Sequence, residues 1–283
     1  MWSVVERTAL AEAEIEYEDH TSTTIYARFP VTHAAHAALE GASVIIWTTT
    51  PWTMPANRAV AYGDDISYQV TEVLAANDGA LCSKGDVVVI ADDLADSVIT
   101  AIGASETKIR AHVMGREMAG SVAAHPMAGH GYDFDVPLLA GSHVTTEQGT
   151  GFVHIAPGHG VEDYELAHLK HGIAVPDTVG EDGVILPHLP VFGGMHVLRD
   201  NAKIAEIMAE HKGVIGIGKL VHSYPHSWRS KAPLIYRNTA QWFVSMESHG
   251  LRDIALGELA KTKFYPAAGQ KRLILMIEQG PDR

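Results

Sequence analysis

The longest apolar runs in this chain have the length of β-strands. SVIIW at 43–47 and DVVVIA at 86–91 are the most extended candidates, and none approaches the roughly 18–20 apolar residues of a membrane-spanning helix. The run from Ser43 to Thr50 is closed by PWTMPANRA, where Pro51 and Pro55 forbid a continuous strand or helix. SYQVTEVL (67–74), DVVVIAD (86–92), IRAHVMG (109–115) and GFVHIA (151–156) also have strand composition. In EIEYEDHTSTTIYARFPV (14–31), Ile15, Tyr17, Ile25 and Tyr26 among polar residues predict strands with a turn near Thr21–Thr24.

Helical signals are fewer. DLADSVITAIG stops at Gly103, and VEDYELAHLKHG (161–172) has Gly172 at its C-cap. A helix over 196–212 has Val197, Ile204, Ile207 and Met208 on one side, and LRDIALGELAKT forms a polar helix near the end. The Gly/Pro/His-rich stretch 125–147 reads as loops. From Val221 to Met246 the chain turns aromatic and basic, as in a β-ribbon or small subdomain. Strands outnumber helices and alternate irregularly, which predicts a mixed α/β domain around a β-rich core.

With 283 residues and 46% hydrophobic content, the chain can bury a sizeable core. Its N-terminus, MWSVVERTALAEAEIE, lacks the basic start and apolar stretch of a signal peptide. The single cysteine, Cys82, excludes an internal disulfide framework, so a cytosolic protein is the simplest reading. The net charge of −13 sits in residues 1–150, while residues 151–283 are balanced. Phosphate contacts supply most nucleic-acid affinity. Any polynucleotide would therefore meet the second half, or another domain would do most of the binding.

Several familiar chemistries fail on the residues. Seventeen histidines invite a metal, but there is no H-E-x-x-H and no close cysteine pair, and His33/His36 and His154/His159 lack an obvious third ligand. GVIGIGKL (213–220) almost spells a phosphate loop, yet Leu220 stands where a hydroxyl must hold Mg²⁺. A glycine-rich turn between a helix and a strand explains it better. The GTG of 149–151 lacks the third glycine of a dinucleotide fingerprint. There is no G-x-S-x-G elbow, and Cys82 has no neighbouring histidine.

Two stretches survive. In QGTGFVHIAPGHGVEDY (148–164) a strand carrying His154 runs through Gly158, His159 and Gly160 into a helix whose first turn holds Glu162 and Asp163. Glycines let a ligand approach the backbone, and the helix dipole favours Asp163 as a carboxylate, a receptor for a substrate ammonium group. In WTTTPWTMPAN (47–57) three threonines end a strand before a proline-forced turn. Threonine is stiff at χ1 and carries a methyl and a hydroxyl, so the cluster can wall a small rigid pocket. The plainer readings are a helix-start acid, a core histidine and a solvated strand end.

Together WTTTPWTMPANRAVAY and GTGFVHIAPGHGVEDY resemble isoleucyl-tRNA synthetases, specifically their connective-peptide editing domain. The resemblance extends from ERTALAEAEIEY (6–17) through YPHSWRSKAPLIYRNTAQWFVSM (224–246) to RLILMIEQGPD (272–282). Valine and leucine synthetases share the Thr-rich and GTG signatures. They usually read Thr-Thr-Arg-Pro where this chain has Thr49-Thr50-Pro51-Trp52, and Pro-Ala-His where it has Pro157-Gly158-His159. Family members often carry zinc-ligating cysteines near Ser227 or Ser230; serines there argue against that zinc. The adenylate-forming signatures His-Ile-Gly-His and Lys-Met-Ser-Lys-Ser do not occur.

The resemblance implies the barrel-like, β-rich editing fold with surrounding helices, an editing core over 1–220, and a β-ribbon, linker and helix over 221–283. It implies hydrolysis of valine from the 3′ acceptor end of tRNA(Ile), or of valyl-adenylate, by a piece of synthetase without the ligase site. ATP and Mg²⁺ belong to that absent site, so no cofactor or metal is expected for editing. Asp163 would bind the α-ammonium, His154 would wall the side-chain pocket against isoleucine, and Thr48, Thr49 and Thr50 would line it and position adenosine or water. Trp52 would shape the nearby wall or belong to the core, and Gly158, His159 and Gly160 would form the flanking loop. A non-catalytic acceptor-end binding module and a metal-dependent ester hydrolase are the rival readings.

Overall fold

The computed structural model describes residues 1–242 and 244–280. By internal contacts the chain divides into Met1–Asn238 and Thr239–Arg283. Residue 220 lies inside a continuous strand, Val214–Ser227, that crosses the boundary the resemblance implies.

Among the described residues twelve strands form in chain order. They are β1 (Trp2–Ser3), β2 (Thr8–Ala9), β3 (Ile15–His33), β4 (Ser43–Thr48), β5 (Ala59–Tyr62), β6 (Ser67–Ala76), β7 (Val87–Ala91), β8 (Ala104–Met114), β9 (Val122–Ala124), β10 (Asp135–Ala140), β11 (Phe152–Ile155) and β12 (Val214–Ser227). In the first unit the helices are α1 (Ala95–Ala101), α2 (Val161–Tyr164), which runs on into a π turn over Glu165–Lys170, and α3 (Asn201–Glu210).

The spine is β3. It pairs with β12 along Ile15–Ala27, with β4 along Ile25–Pro30 and with β9 at Val31 and His33. The expected turn at Thr21–Thr24 is absent. That segment has no Gly, Asn or Asp to make a two-residue hairpin turn, and its β-branched threonines lie in register with Leu220–Val221 and Gly218–Lys219 of β12. The phosphate-loop look-alike is therefore mostly strand. Gly216 marks the register shift at the start of β12, and Lys219 pairs with Thr23. The stretch 125–147, expected as loops, contains β10, which pairs with β5 and β9.

Ten strands form one mixed sheet in the order β11-β5-β10-β9-β3-β4-β7-β6-β8, with β12 on β3. Among the described residues only β5/β10 and β4/β7 are parallel. Among the described residues no ladder joins the two ends, so the barrel-like expectation is corrected to an open sheet. The sheet does curl, and β11 packs close to β4 although five positions separate them in the order. This curl brings the ends of β4 and β11 together. Phe29, Val44, Ile46, Met54, Val60, Tyr68 and Val89 share the main core between its faces. No helix of the described residues is long and apolar enough to cross a membrane.

The second unit contains α4 (Leu251–Lys261) and α5 (Ala268–Glu278). Arg252 donates to the carbonyls of Ile277 and Gly280, and Gln270 Nε2 donates to the Leu259 carbonyl at 2.9 Å. None of its described residues is buried.

The GTG stretch has a packing explanation. Gly151 has φ +80°, and a Cβ there would lie 2.3 Å from Ala91 Cβ and 3.2 Å from Tyr68 Cε1. The buried Tyr68 hydroxyl donates to the Gly151 carbonyl at 2.7 Å and accepts from Gly63 N–H at 2.9 Å. Substituting Gly151→Ala forces both the backbone and the β6–β7 surface, with an expected loss of about 2 kcal/mol or more. Tyr68→Phe leaves two buried backbone groups unpaired and is expected to lose about 1–3 kcal/mol. Urea unfolding of both variants checks this; unchanged midpoints would contradict it.

Candidate active site

At the end of β4 the chain enters a single 3₁₀ segment, Pro51–Ala56, in which all six residues are buried. Pro51 occupies its first turn and Pro55 lacks an N–H, so the segment cannot extend as α-helix. Buried irregular backbone must find partners without water. Thr53 N–H donates to Thr50 O at 3.0 Å, Asn57 N–H to Met54 O at 3.0 Å, and Trp52 N–H to Asn201 Oδ1 of α3 at 3.2 Å.

The side chains continue this network across to β11. Thr50 N–H donates to Thr48 Oγ1 at 3.1 Å, and the two hydroxyls lie 3.0 Å apart. Thr53 Oγ1 donates to Thr50 O at 2.8 Å and lies 2.9 Å from His154 Nε2. Asn57 Nδ2 donates to Ala59 O at 2.9 Å and lies 3.3 Å from His154 Nδ1. The Ala59 carbonyl fixes the amide orientation, so Nδ2 also donates to His154 Nδ1. His154 is then protonated on Nε2 and donates to Thr53, whose own proton is already committed to Thr50. Burial pushes His154 down to about 3, with His159 and His125 adding to the shift. It is neutral, with both nitrogens engaged.

Two residues beyond His154, the Ala156 N–H donates to Asp163 Oδ2 at 2.7 Å. The carboxyl packs over Gly160, where a Cβ would come within 2.8 Å of Asp163 Cγ and 3.0 Å of Oδ1. Oδ1 accepts no hydrogen bond among the described residues. The helix-start position was expected to favour the carboxylate. Instead burial raises Asp163 to about 6, with the Ala156 N–H pulling it down and Glu162 pushing it up.

Gly158–Gly160 is held from outside. His159 Nδ1 donates to Tyr236 O at 2.8 Å, Nε2 lies 2.8 Å from Thr178 Oγ1, and the ring meets Trp52 edge-on at 5.0 Å. Gly158 O accepts Asn238 N–H at 2.9 Å. Beside this loop lies a mainly apolar pocket of about 220 Å³, which Tyr164, Tyr236 and Asn238 help to line.

The structure thus joins Thr48, Thr50 and His154 in one hydrogen-bonded unit and sets Asp163 at its edge. Thr49 is half-buried and makes no side-chain hydrogen bond among the described residues. Trp52 is 4% exposed and belongs to the main core while touching His159. Thr53 and Asn57, which lie inside the quoted threonine stretch, were not singled out from sequence. Their signal was the spacing of polar groups three and four residues apart in a proline-bounded turn. Thr178 and Tyr236 had none. Cys82 is buried and donates to Ile102 O at 3.2 Å. No three His, Cys, Asp or Glu side chains among the described residues form a set that could hold a metal ion.

These titrations have a sign. Burial holds His154 near 3, and His125 and His159 near 4, against an unfolded value near 6.5. The folded state therefore binds fewer protons than the unfolded one between those values. The stability of the neutral rings is fully present above about pH 6.5 and is lost as pH falls toward 4. Asp163, raised above its ordinary 3.8, opposes this between 3.8 and about 6, but it is one group against three. The melting temperature is expected to fall between pH 7 and pH 5; a constant or rising value would contradict the assignment.

Comparison with known proteins places the chain in a family. The profile of tRNA synthetases class I (I, L, M and V) matches residues 1–283. The isoleucine–tRNA ligase of Pelagibacter ubique is 48% identical over 282 residues, covering 100% of this chain and 31% of that protein. The ligase of Caulobacter vibrioides is 46% identical over 308 residues, again covering 100% of this chain and 31% of its own length. The chain thus spans about a third of the length of these curated relatives. The crystal structure of GlLeuRS-CP1 shares the fold, with a TM-score of 0.52 at 10% identity over 69% of this chain and 98% of that one. The chain belongs to the class I tRNA synthetases of the I, L, M and V group, corresponds to a segment of isoleucine–tRNA ligase, and has a CP1-like fold.

Proposed function

We propose that this chain is an editing domain that hydrolyses the ester between valine and the terminal adenosine of tRNA(Ile). The chemical need is specific: isoleucine enzymes are the known instance in which one missing methylene discriminates weakly, so a second, hydrolytic sieve corrects the error. The supporting observation is the Asp163 carboxylate, held by Ala156 N–H two residues beyond a rigid wall of Thr50, Thr53 and His154.

The roles follow from the atoms. Asp163 Oδ1 receives the α-ammonium of the aminoacyl group. Thr48 and Thr50 present hydroxyls toward the ester and its water. His154 is locked by Asn57 and Thr53, so it limits side-chain size and does not take a proton. An aminoacyl ester is already activated, and a positioned water with the neighbouring ribose hydroxyl suffices for its hydrolysis. Valyl-adenylate carries the same ammonium and side chain, and is a second substrate in this reading. The acidic first half makes tRNA binding by the chain weak and salt-sensitive, with the remainder of a longer synthetase supplying affinity. The reading places the reaction in the cytoplasm and requires no cofactor or metal; ATP and Mg²⁺ serve the ligase site.

Hydrolysis of Val-tRNA(Ile) and Ile-tRNA(Ile) by wild type, Asp163→Ala and Asp163→Asn tests this. Asn keeps an acceptor for Ala156 N–H and removes only the charge. Preferential loss of the valyl ester is expected from wild type, and about 10–100-fold less from Asn, the worth of a charge-assisted hydrogen bond. Turnover by all three at one rate would remove Asp163 from the mechanism. Binding of mischarged tRNA without turnover would leave a docking module. The wild-type kcat/KM should rise with pH through about 6 as Asp163 ionises; a flat profile from 5 to 7 would contradict that role.

A further inference from the structure

His125 lies outside both sequence stretches and is 1% exposed. Its ring stacks on Tyr132 at 4.8 Å and 19°, with Phe134 at 5.4 Å and Phe29 edge-on at 6.2 Å. Nδ1 accepts the Met127 N–H at 3.1 Å, which places the ring proton on Nε2. Nε2 lies 2.9 Å from the Met54 carbonyl and donates to it. That same carbonyl accepts Asn57 N–H at 3.0 Å, and Asn57 is the residue that sets the tautomer of His154. Two buried neutral imidazoles thus hold the Pro51–Ala56 segment at different atoms, one at Met54 O and the other at Thr53 Oγ1.

We propose that His125 is a positioning residue for the deacylation, acting through the Met54 carbonyl to fix the segment that carries Thr53 and is capped by Thr50 and Asn57. The inference rests on the editing function proposed above. Its own i→i+3 bonds, such as Thr53 N–H to Thr50 O and Asn57 N–H to Met54 O, shape the segment but do not tie it to the rest of the fold, and one of its six backbone positions is a proline without a donor after the first turn. Its placement therefore depends on bonds from outside, and His125 supplies one at the Met54 carbonyl. Enzymatic rate is steep in such placement: a misplacement of about 1 Å remote from the chemistry can cost about 100-fold.

Two substitutions separate this role from core filling. His125→Gln puts an amide N–H near the position of Nε2 and keeps a donor for Met54 O. His125→Asn keeps an acceptor near Met127 N–H but cannot reach Met54. Both lose the stacked ring. Single-turnover hydrolysis of Val-tRNA(Ile) by the 283-residue chain is expected to fall about 10–100-fold in Asn, in rate constant rather than in KM, and to be largely restored in Gln. The ¹⁵N signals of the His154 ring are expected to move in Asn and stay in Gln. Equal behaviour of Asn and Gln, in rate and in the His154 signals, would overturn the proposal. If wild type and Asp163→Asn hydrolyse nothing, the editing reading fails while the His154 signals still decide this one. If both His125 variants fail to fold, the wild-type ring decides: a slowly exchanging proton on Nε2 of His125 is expected, and a proton on Nδ1 would overturn the proposal.

Discussion

The site depends on burying six residues of irregular backbone where no water can reach. Pro51–Ala56 is neither strand nor α-helix, and its own i→i+3 bonds, such as Thr53 N–H to Thr50 O, leave other polar groups to be satisfied from elsewhere. Side chains supply those partners. Thr53 does so from within, Asn201 from α3, His125 from the segment before β10, and His154 from β11 by way of Thr53. A missing partner would leave a desolvated group costing about 1–3 kcal/mol. The arrangement is therefore rigid for a reason of stability, and the same rigidity is what a size-selective wall requires.

Neutral histidine is the side chain suited to this task. It offers one donor and one acceptor in fixed directions on a flat ring, and burial removes its charge. His154 uses Asn57 as donor and Thr53 as acceptor; His125 uses Met127 N–H as donor and Met54 O as acceptor. His159, on the loop beside the site, is likewise held by two partners, Tyr236 O and Thr178. A chain with 17 histidines invites a metal reading, yet these three are structural hydrogen-bond brackets.

Much of the fold was legible in the sequence because its strands obey local rules. Apolar runs at Ser43 and Val87 became β4 and β7, and GFVHIA became β11. Helix signals around Ala95, Val161 and Asn201 held, although the second changes to a π turn at Glu165. What failed was long-range pairing. Thr21–Thr24 looks like a turn until Gly218–Val221 lies beside it, and in the stretch before Gly151 β10 is hidden because its neighbour β9 is only three residues long and its other partner, β5, is more than 70 residues away. Of the site, the two motifs exposed Thr48, Thr50, His154 and Asp163. The sequence could not show that the sheet curls to join them, nor that the Asp163 carboxyl is raised rather than lowered. That sign depends on burial against Gly160, which no helix-start rule contains.

The contrast between Asp163 and the histidines separates two demands on the site. Shape has to be constant, and it is entrusted to groups whose charge is suppressed well below working pH. In the proposed reading charge has to respond to the substrate, and it is entrusted to a carboxyl that burial raises to about 6. An incoming ammonium favours the ionised form, so binding itself draws the carboxyl fully into its charged state. A carboxylate already stabilised by several protein donors would gain less from that ammonium. One backbone N–H keeps Asp163 oriented, while its second oxygen accepts no hydrogen bond among the described residues, which suits it to the ammonium that the proposed reading brings.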